Sequence, residues 1–229
     1  MGEWVKVTAE DGHELGAYVA TPETGPIGAI VVVQEIFGVN PSIRGVADAY
    51  AREGFLAIAP AIFDRFEPGL ELGYGPEDMK KAFGIYPKLN PDVTLLDIAA
   101  AFHYAKEKSG KATGVTGFCY GGLVTWLSAT RGEKLKMQPA CCVGYYAGGI
   151  GKVAAEEPVC PVMLHFGAAD DHIGSDQIEA VRTAHPEVEI YLYDGVGHAF
   201  ANPDRPSYNA EAGKLADERS LAFFKANLA

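Results

Sequence analysis

The 229 residues include 48% hydrophobic, 10% aromatic and 21% charged side chains, enough apolar material to bury a sizeable core and too much for a disordered chain. Nineteen Lys and Arg against thirty Asp and Glu give a formal net charge of −11 with no long block of either sign, which excludes the basic face a nucleic-acid binder needs. The apolar stretches at 29–33 and 55–63 fall far short of the roughly 20 residues that span a bilayer, so no membrane segment is expected.

Short β-branched runs alternate with longer amphipathic stretches, the pattern of a mostly parallel sheet with crossover helices. Trp4–Thr8 and Glu14–Ala20, joined across Asp11-Gly12, read as an opening hairpin, and the continuously apolar run within Gly28–Val33 reads as a strand buried on both faces. A helix over Ser42–Glu53 lies between Pro41 and Gly54, and Phe55–Ala59 is the next strand. Residues 60–90 are rich in Pro and Gly and read as a long excursion with one helix near Glu77–Phe83. Pro91–Lys108 is a helix stopped by Gly110. Strands are then expected at Thr113–Phe118, Ala140–Tyr146, Val162–Phe166 and Glu189–Tyr193, with helices at Gly121–Thr130, Ser175–Ala184 and Tyr208–Asn227. No repeat or linker interrupts the pattern, so residues 1–229 are expected to form a single α/β domain.

Met1–Gly16 lacks the basic and apolar regions of a secretory signal, and Lys6 stands where a myristoylation motif wants Ser or Thr. Cys119, Cys141, Cys142 and Cys160 are too sparse for a disulfide scaffold and show no CxxC zinc spacing. A cytoplasmic location is expected.

The sharpest chemical signal is Gly117-Phe118-Cys119-Tyr120-Gly121-Gly122, between a predicted strand and a predicted helix. It reads as a nucleophile elbow with Cys in place of Ser, in which glycines let the chain close around a strained residue and the helix N-terminus favours a thiolate. Such a nucleophile needs an acid and then a histidine downstream. Asp170 or Asp171 follows the strand at 162–166, and His198 follows the strand at 189–193; the GxxD spacing with Ile173 favours Asp170. Both loops sit at carboxyl ends of strands, where open α/β sheets bind ligands.

Of the other histidines, His165 reads as a core residue, His13, His103 and His185 as exposed, and His172 as polar surface or a pocket wall. No pair has HExxH or a comparable ligand spacing, so no metal is expected. Cys141 and Cys142 read as small core hydrophobes. Glu35, in Gln34-Glu35-Ile36-Phe37-Gly38 at the end of a strand, stands where this arrangement contributes an oxyanion-hole amide; a carboxylate pointing at Cys119 there would accept a hydrogen bond from the neutral thiol.

QEIFGVNPSIR, GFCYGG, GxxDxxI and GHAF resemble the dienelactone hydrolases (carboxymethylenebutenolidases), members of the α/β-hydrolase fold, over about Trp4 to Phe224. The resemblance implies a central sheet of about eight mostly parallel strands with helices on both faces. It further implies a Cys119–His198–Asp170 triad with Glu35 contacting the resting thiol, backbone N–H groups of Ile36 and Tyr120 as the oxyanion hole, and no cofactor. The substrate would be a small ester or lactone, cleaved through a thioester acyl-enzyme by a monomer or small homo-oligomer. Where members of the family use two arginines for a substrate carboxylate, this chain has Asn202 after the histidine and lysines around Lys81, which are not bidentate clamps. Arg205 or Lys81 could substitute, and Phe37, Tyr145 and Tyr146 could line the pocket. A general carboxylesterase or thioesterase, a non-catalytic small-molecule binder and, more weakly, a redox-sensing thiol protein are the competing readings.

Overall fold

The computed structural model describes residues 2–229. Eight strands form one sheet in the order β1-β2-β4-β3-β5-β6-β7-β8. The hairpin strands β1 (Glu3–Thr8) and β2 (Glu14–Ala20) run antiparallel to each other, and β2 runs antiparallel to β4 (Phe55–Pro60). From β4 through β3 (Gly28–Val33), β5 (Thr113–Phe118), β6 (Cys142–Tyr145), β7 (Val162–Gly167) and β8 (Glu189–Tyr193), every pairing is parallel. All residues of β3, β4, β5, β6 and β7 are buried, which is why those runs carry no polar alternation.

The helices are α1 (Pro41–Arg52), α2 (Pro76–Ile85), α3 (Pro91–Ser109), α4 (Tyr120–Arg131), α5 (Ser175–Ala184) and α6 (Ala210–Leu228). Two glycines of β5 show the layering. A Cβ at Gly114 would meet Phe224 of α6, whereas one at Gly117, three residues on and therefore on the other face, would meet Thr125 of α4. Tyr50 of α1 packs edge-on against Phe224 at 5.5 Å, so α1 joins α6 on one face; Thr94 of α3 and Tyr120 of α4 share a hydroxyl contact of 2.8 Å on the other. Among the described residues, no helix is long and apolar enough to cross a membrane.

Boundaries moved where local signals compete. The expected strand at 140–146 shortens to Cys142–Tyr145, and α6 begins at Ala210 because the Asn209 side chain accepts from the Ala212 amide and caps it there. The excursion is better organised than its composition suggests. It contains 3₁₀ turns at Ile62–Arg65 and Tyr86–Lys88 around α2. Arg65 pins it to α3 through Asp97 at 2.7 Å, and the Leu72 amide donates to the Phe37 carbonyl at 2.8 Å. His165 lies in the core as expected, between the Tyr193 hydroxyl and Ser220 Oγ at 3.0 Å each, and Cys141 and Cys142 are fully buried. His185, expected at the surface, is buried against Trp126.

Candidate active site

The elbow is built from hard packing constraints. Cys119 sits at φ 56° and ψ −116°, a conformation that non-glycine residues rarely adopt, immediately before the first turn of α4. A Cβ at Gly117 would drive into the Gly121 carbonyl, and one at Gly121 into the carbonyl of Val33 on the adjoining strand. Only glycine lets β3, β5 and α4 approach this closely. The Cys119 amide donates to the Tyr145 carbonyl at 3.0 Å, which locks the turn to β6.

The loop after β7 brings Asp170 to the loop after β8. His198 Nδ1 lies 2.8 Å from Asp170 Oδ2, and the same aspartate's Oδ1 accepts from the amides of His172 and Ile173 at 2.8 and 3.2 Å. Three-dimensional contact thus separates the two candidate acids. Asp170 has a fully buried side chain on the imidazole, while Asp171 is exposed and pairs only with His172. Burial opposes charge on His198, but the Asp170 hydrogen bond and the adjacent Cys119 sulfur outweigh it and push the imidazole up to about 10. Burial likewise raises Asp170, yet its bond to His198 wins and holds the carboxyl below the usual carboxylate range. The rings of His172 and Tyr146 each stand 5.0 Å from that of His198.

Glu35 is buried, but the expected contact with the resting thiol is absent. Its carboxylate instead accepts from Asn202 Nδ2 at 3.0 Å and from the Tyr74 hydroxyl at 3.4 Å. Burial pushes the Glu35 carboxyl up, against the opposing charges of Arg205 and His198. Asn202 and Asn40 both donate to the Tyr74 oxygen, at 2.9 and 3.1 Å, and Ser42 Oγ donates to Asn202 Oδ1 at 3.1 Å. The carboxylate is therefore held by a polar network that draws on α1, the excursion and the His198 loop. This network occupies the Glu35 carboxylate, and no hydrogen bond joins it to the Cys119 thiol among the described residues.

Ile36 and Tyr120 lie on the β3 and β5 sides of the elbow, and neither backbone N–H donates to an acceptor within the protein among the described residues. Phe37 is buried, with Tyr74 edge-on at 4.9 Å. The Arg205 guanidinium lies over both rings, 5.3 Å from Phe37 and 5.2 Å from Tyr74. It forms no ion pair with a carboxylate among the described residues.

Two expected pocket residues lie elsewhere. Lys81 is paired with Glu67 at 2.8 Å on the exposed surface of the excursion, where the nearer anion claims it. Tyr145 is core: its hydroxyl is bound to Asp217 and Ser220, and its ring lies on Phe118 and His165. Tyr146, its neighbour, is the residue beside His198. A cleft of about 700 Å³ between α1 and α6 ends on Glu35, Asn202, Phe118 and Tyr146, and neither Cys119 nor His198 lines it. Tyr74 was not found by sequence reasoning; it sits in a Gly-Tyr-Gly stretch with no periodic or motif signal. Asn40 could have been found, since it precedes Pro41-Ser42 as an N-cap and accepts from the Ile43 amide.

The strand order, the elbow after β5 and the acid and histidine loops after β7 and β8 define an α/β-hydrolase-fold enzyme. The chain belongs to the dienelactone hydrolase family, which matches residues 15–228, and it is a hydrolase of the carboxylic ester class. It is similar to the carboxymethylenebutenolidase of Pseudomonas putida, with 30% identity over 97% of this chain and 96% of that one. Among solved structures it resembles a Klebsiella pneumoniae protein assigned as a dienelactone hydrolase, with 30% identity, a TM-score of 0.85 and 98% of each chain covered. A dienelactone hydrolase-like promiscuous phosphotriesterase from metagenomic libraries shares the fold at 20% identity and TM-score 0.79, covering 100% of this chain and 99% of that one.

Proposed function

We propose that this enzyme hydrolyses a small ester or lactone through a thioester on Cys119. The observation that carries this reading is the 2.8 Å contact of His198 Nδ1 with Asp170, on a ring whose charge is also supported by the Cys119 sulfur. With the proton of the pair held on His198, sulfur bonds to the carbonyl carbon and the carbonyl electron pair moves onto oxygen. The unpaired amides of Ile36 and Tyr120 are the candidates to receive that oxyanion. Collapse breaks the ester C–O bond, and the leaving alkoxide takes the proton from His198. Water, deprotonated by His198, then attacks the thioester; the C–S bond breaks and the carboxylic acid leaves. Asp170 holds the imidazole in the tautomer these transfers need.

Arg205 supports an acyl group that bears a carboxylate. It is a half-buried cation without an acidic partner, beside the loop that carries Ile36. Kinship with carboxymethylenebutenolidases fits an anionic lactone. The reaction needs no cofactor, and four cysteines that are all free, two of them with sulfurs in contact, support a reducing, cytoplasmic setting. The test is a panel of anionic and neutral lactones and esters, with Cys119→Ala as the blank. Turnover by the wild type, none by the variant, and an acyl adduct on Cys119 by intact mass are expected; equal hydrolysis by both proteins would remove the proposal.

A further inference from the structure

At the opposite rim of the sheet, His185 follows the last residue of α5 and is 3% exposed. Its Nε2 lies 2.9 Å from the Ala154 carbonyl oxygen. A carbonyl can only accept, so Nε2 carries the hydrogen, and in the neutral ring Nδ1 is a bare lone pair. That nitrogen makes no hydrogen bond. It aims at Glu187 Oε1, 3.4 Å away, and Glu157 Oε2, 3.9 Å away, and the three ligand atoms lie within 4.8 Å of one another. Neither glutamate is paired with a Lys or Arg among the described residues. A lone pair on a buried ring that faces two carboxylates is repulsive unless a positive charge stands between them.

We infer that Glu157, His185 and Glu187 bind one divalent transition-metal ion of the zinc type. One imidazole nitrogen and two carboxylate oxygens form a borderline donor set; the nitrogen disfavours the oxygen-seeking Mg²⁺ and Ca²⁺. The Ala154 carbonyl is the outer partner that metal-bound histidines commonly have on their second nitrogen, fixing ring and tautomer before the ion arrives. The exposed carboxylates leave remaining coordination positions to water.

The site joins the segment that follows the 3₁₀ turn Ile150–Val153, the end of α5 and the approach to β8. It lies at the amino ends of β7 and β8, whereas Asp170 and His198 follow their carboxyl ends, roughly 20 Å away for a six-residue strand at about 3.3 Å per residue. The ion therefore ties the fold together and takes no part in ester cleavage. The three-residue His185-Pro186-Glu187 spacing and the distant Glu157 form no recognised ligand motif, which is why the sequence alone did not disclose the site.

The experiment uses full-length Cys119→Ser protein stripped of metal, so that the catalytic thiol cannot ligate. Calorimetric titration with Zn²⁺ is expected to show one equivalent bound and a raised Tm. The double variant Glu157→Gln/Glu187→Gln, altered only at exposed side chains, should retain the fold and bind at least tenfold more weakly. His185→Gln should do the same, and the glutamate pair decides the matter if loss of the Ala154 contact impairs folding. Cobalt(II) substitution should give visible bands of nitrogen–oxygen coordination without thiolate charge transfer. Thiolate bands would place the ion on the Cys142–Cys160 pair, whose sulfurs are 3.9 Å apart, and would overturn the assignment. So would the absence of stoichiometric binding, the result expected if His185 is an imidazolium between two carboxylates, or equal affinity in the glutamate variant.

Discussion

Asn202 Nδ2 donates to Glu35 Oε2 over 3.0 Å, joining residues 167 positions apart. This bond turns the carboxylate toward Tyr74 and leaves the Cys119 sulfur beside His198. Glu35→Gln preserves an acceptor for Asn202 while removing a buried charge. Because burial raises the Glu35 carboxyl, the folded state binds that proton more tightly than the unfolded chain does. Ionised Glu35 therefore costs stability as pH rises from its ordinary value, about 4.3, toward the elevated one. Melting temperatures across pH 4 to 8 are expected to show Glu35→Gln gaining on the wild type as pH rises. A constant gap would mean that the carboxyl is not destabilised by burial.

Asn202→Ala removes a donor from that carboxylate and should cost about 1–3 kcal/mol by urea titration, since buried acceptors lose more than the bond itself. The same variant frees Glu35 to turn toward the thiol, and the pH profile of Cys119 alkylation by iodoacetamide should change. Wild-type stability together with an unchanged profile would show that the network does not hold the carboxylate.

His198 contributes stability in the opposite pH sense. Its folded value of about 10 stands above the ordinary 6.5. Stabilisation by the charged ring is complete below about 6.5 and is lost as pH climbs through 10. The stability difference between the wild type and His198→Ala should shrink over that interval by on the order of 5 kcal/mol, since each tenfold difference in proton affinity between folded and unfolded chain is worth roughly 1.4 kcal/mol. Turnover by the variant should fall by about a thousandfold or more at every pH. Denaturant melts at pH 6 and pH 10.5, read with ester hydrolysis, check both.

Arg205→Met retains a long apolar stem over Phe37 and Tyr74 but removes the cation. The ratio of kcat/KM for a carboxylate-bearing ester to that for its neutral methyl ester should fall about tenfold, the equivalent of 1.4 kcal/mol. An unaltered ratio would take Arg205 out of substrate recognition. Lys81→Met, far out in its ion pair with Glu67, should leave the ratio unchanged.

Gly121→Ala places a methyl group against the Val33 and Gln34 carbonyls. Overpacking of backbone on backbone has no soft side chain to absorb it, and a loss of roughly 3 kcal/mol or more is expected by thermal melting. Gly75→Ala, where no atom lies within 4 Å of the added carbon, is the control and should be near neutral.

The sequence by itself determined the sheet, the alternating helices and the chemical types at the elbow and in its two partner loops. Those follow from local rules: unbroken apolar runs become doubly covered strands, and glycines flank a residue forced to positive φ. Tertiary structure decided everything that depends on which remote groups meet. It chose Asp170 over Asp171, because only one of two adjacent carboxylates can be buried on the imidazole. It turned Glu35 to Asn202, brought in Tyr74 from a stretch without periodicity, and sent Lys81 to Glu67. It buried His185 beside Trp126, although nothing in its neighbourhood along the chain marks it as internal. Spacing fixes the direction in which a side chain leaves the backbone; hydrogen bonds and ion pairs between distant segments are settled by packing, which no local pattern encodes.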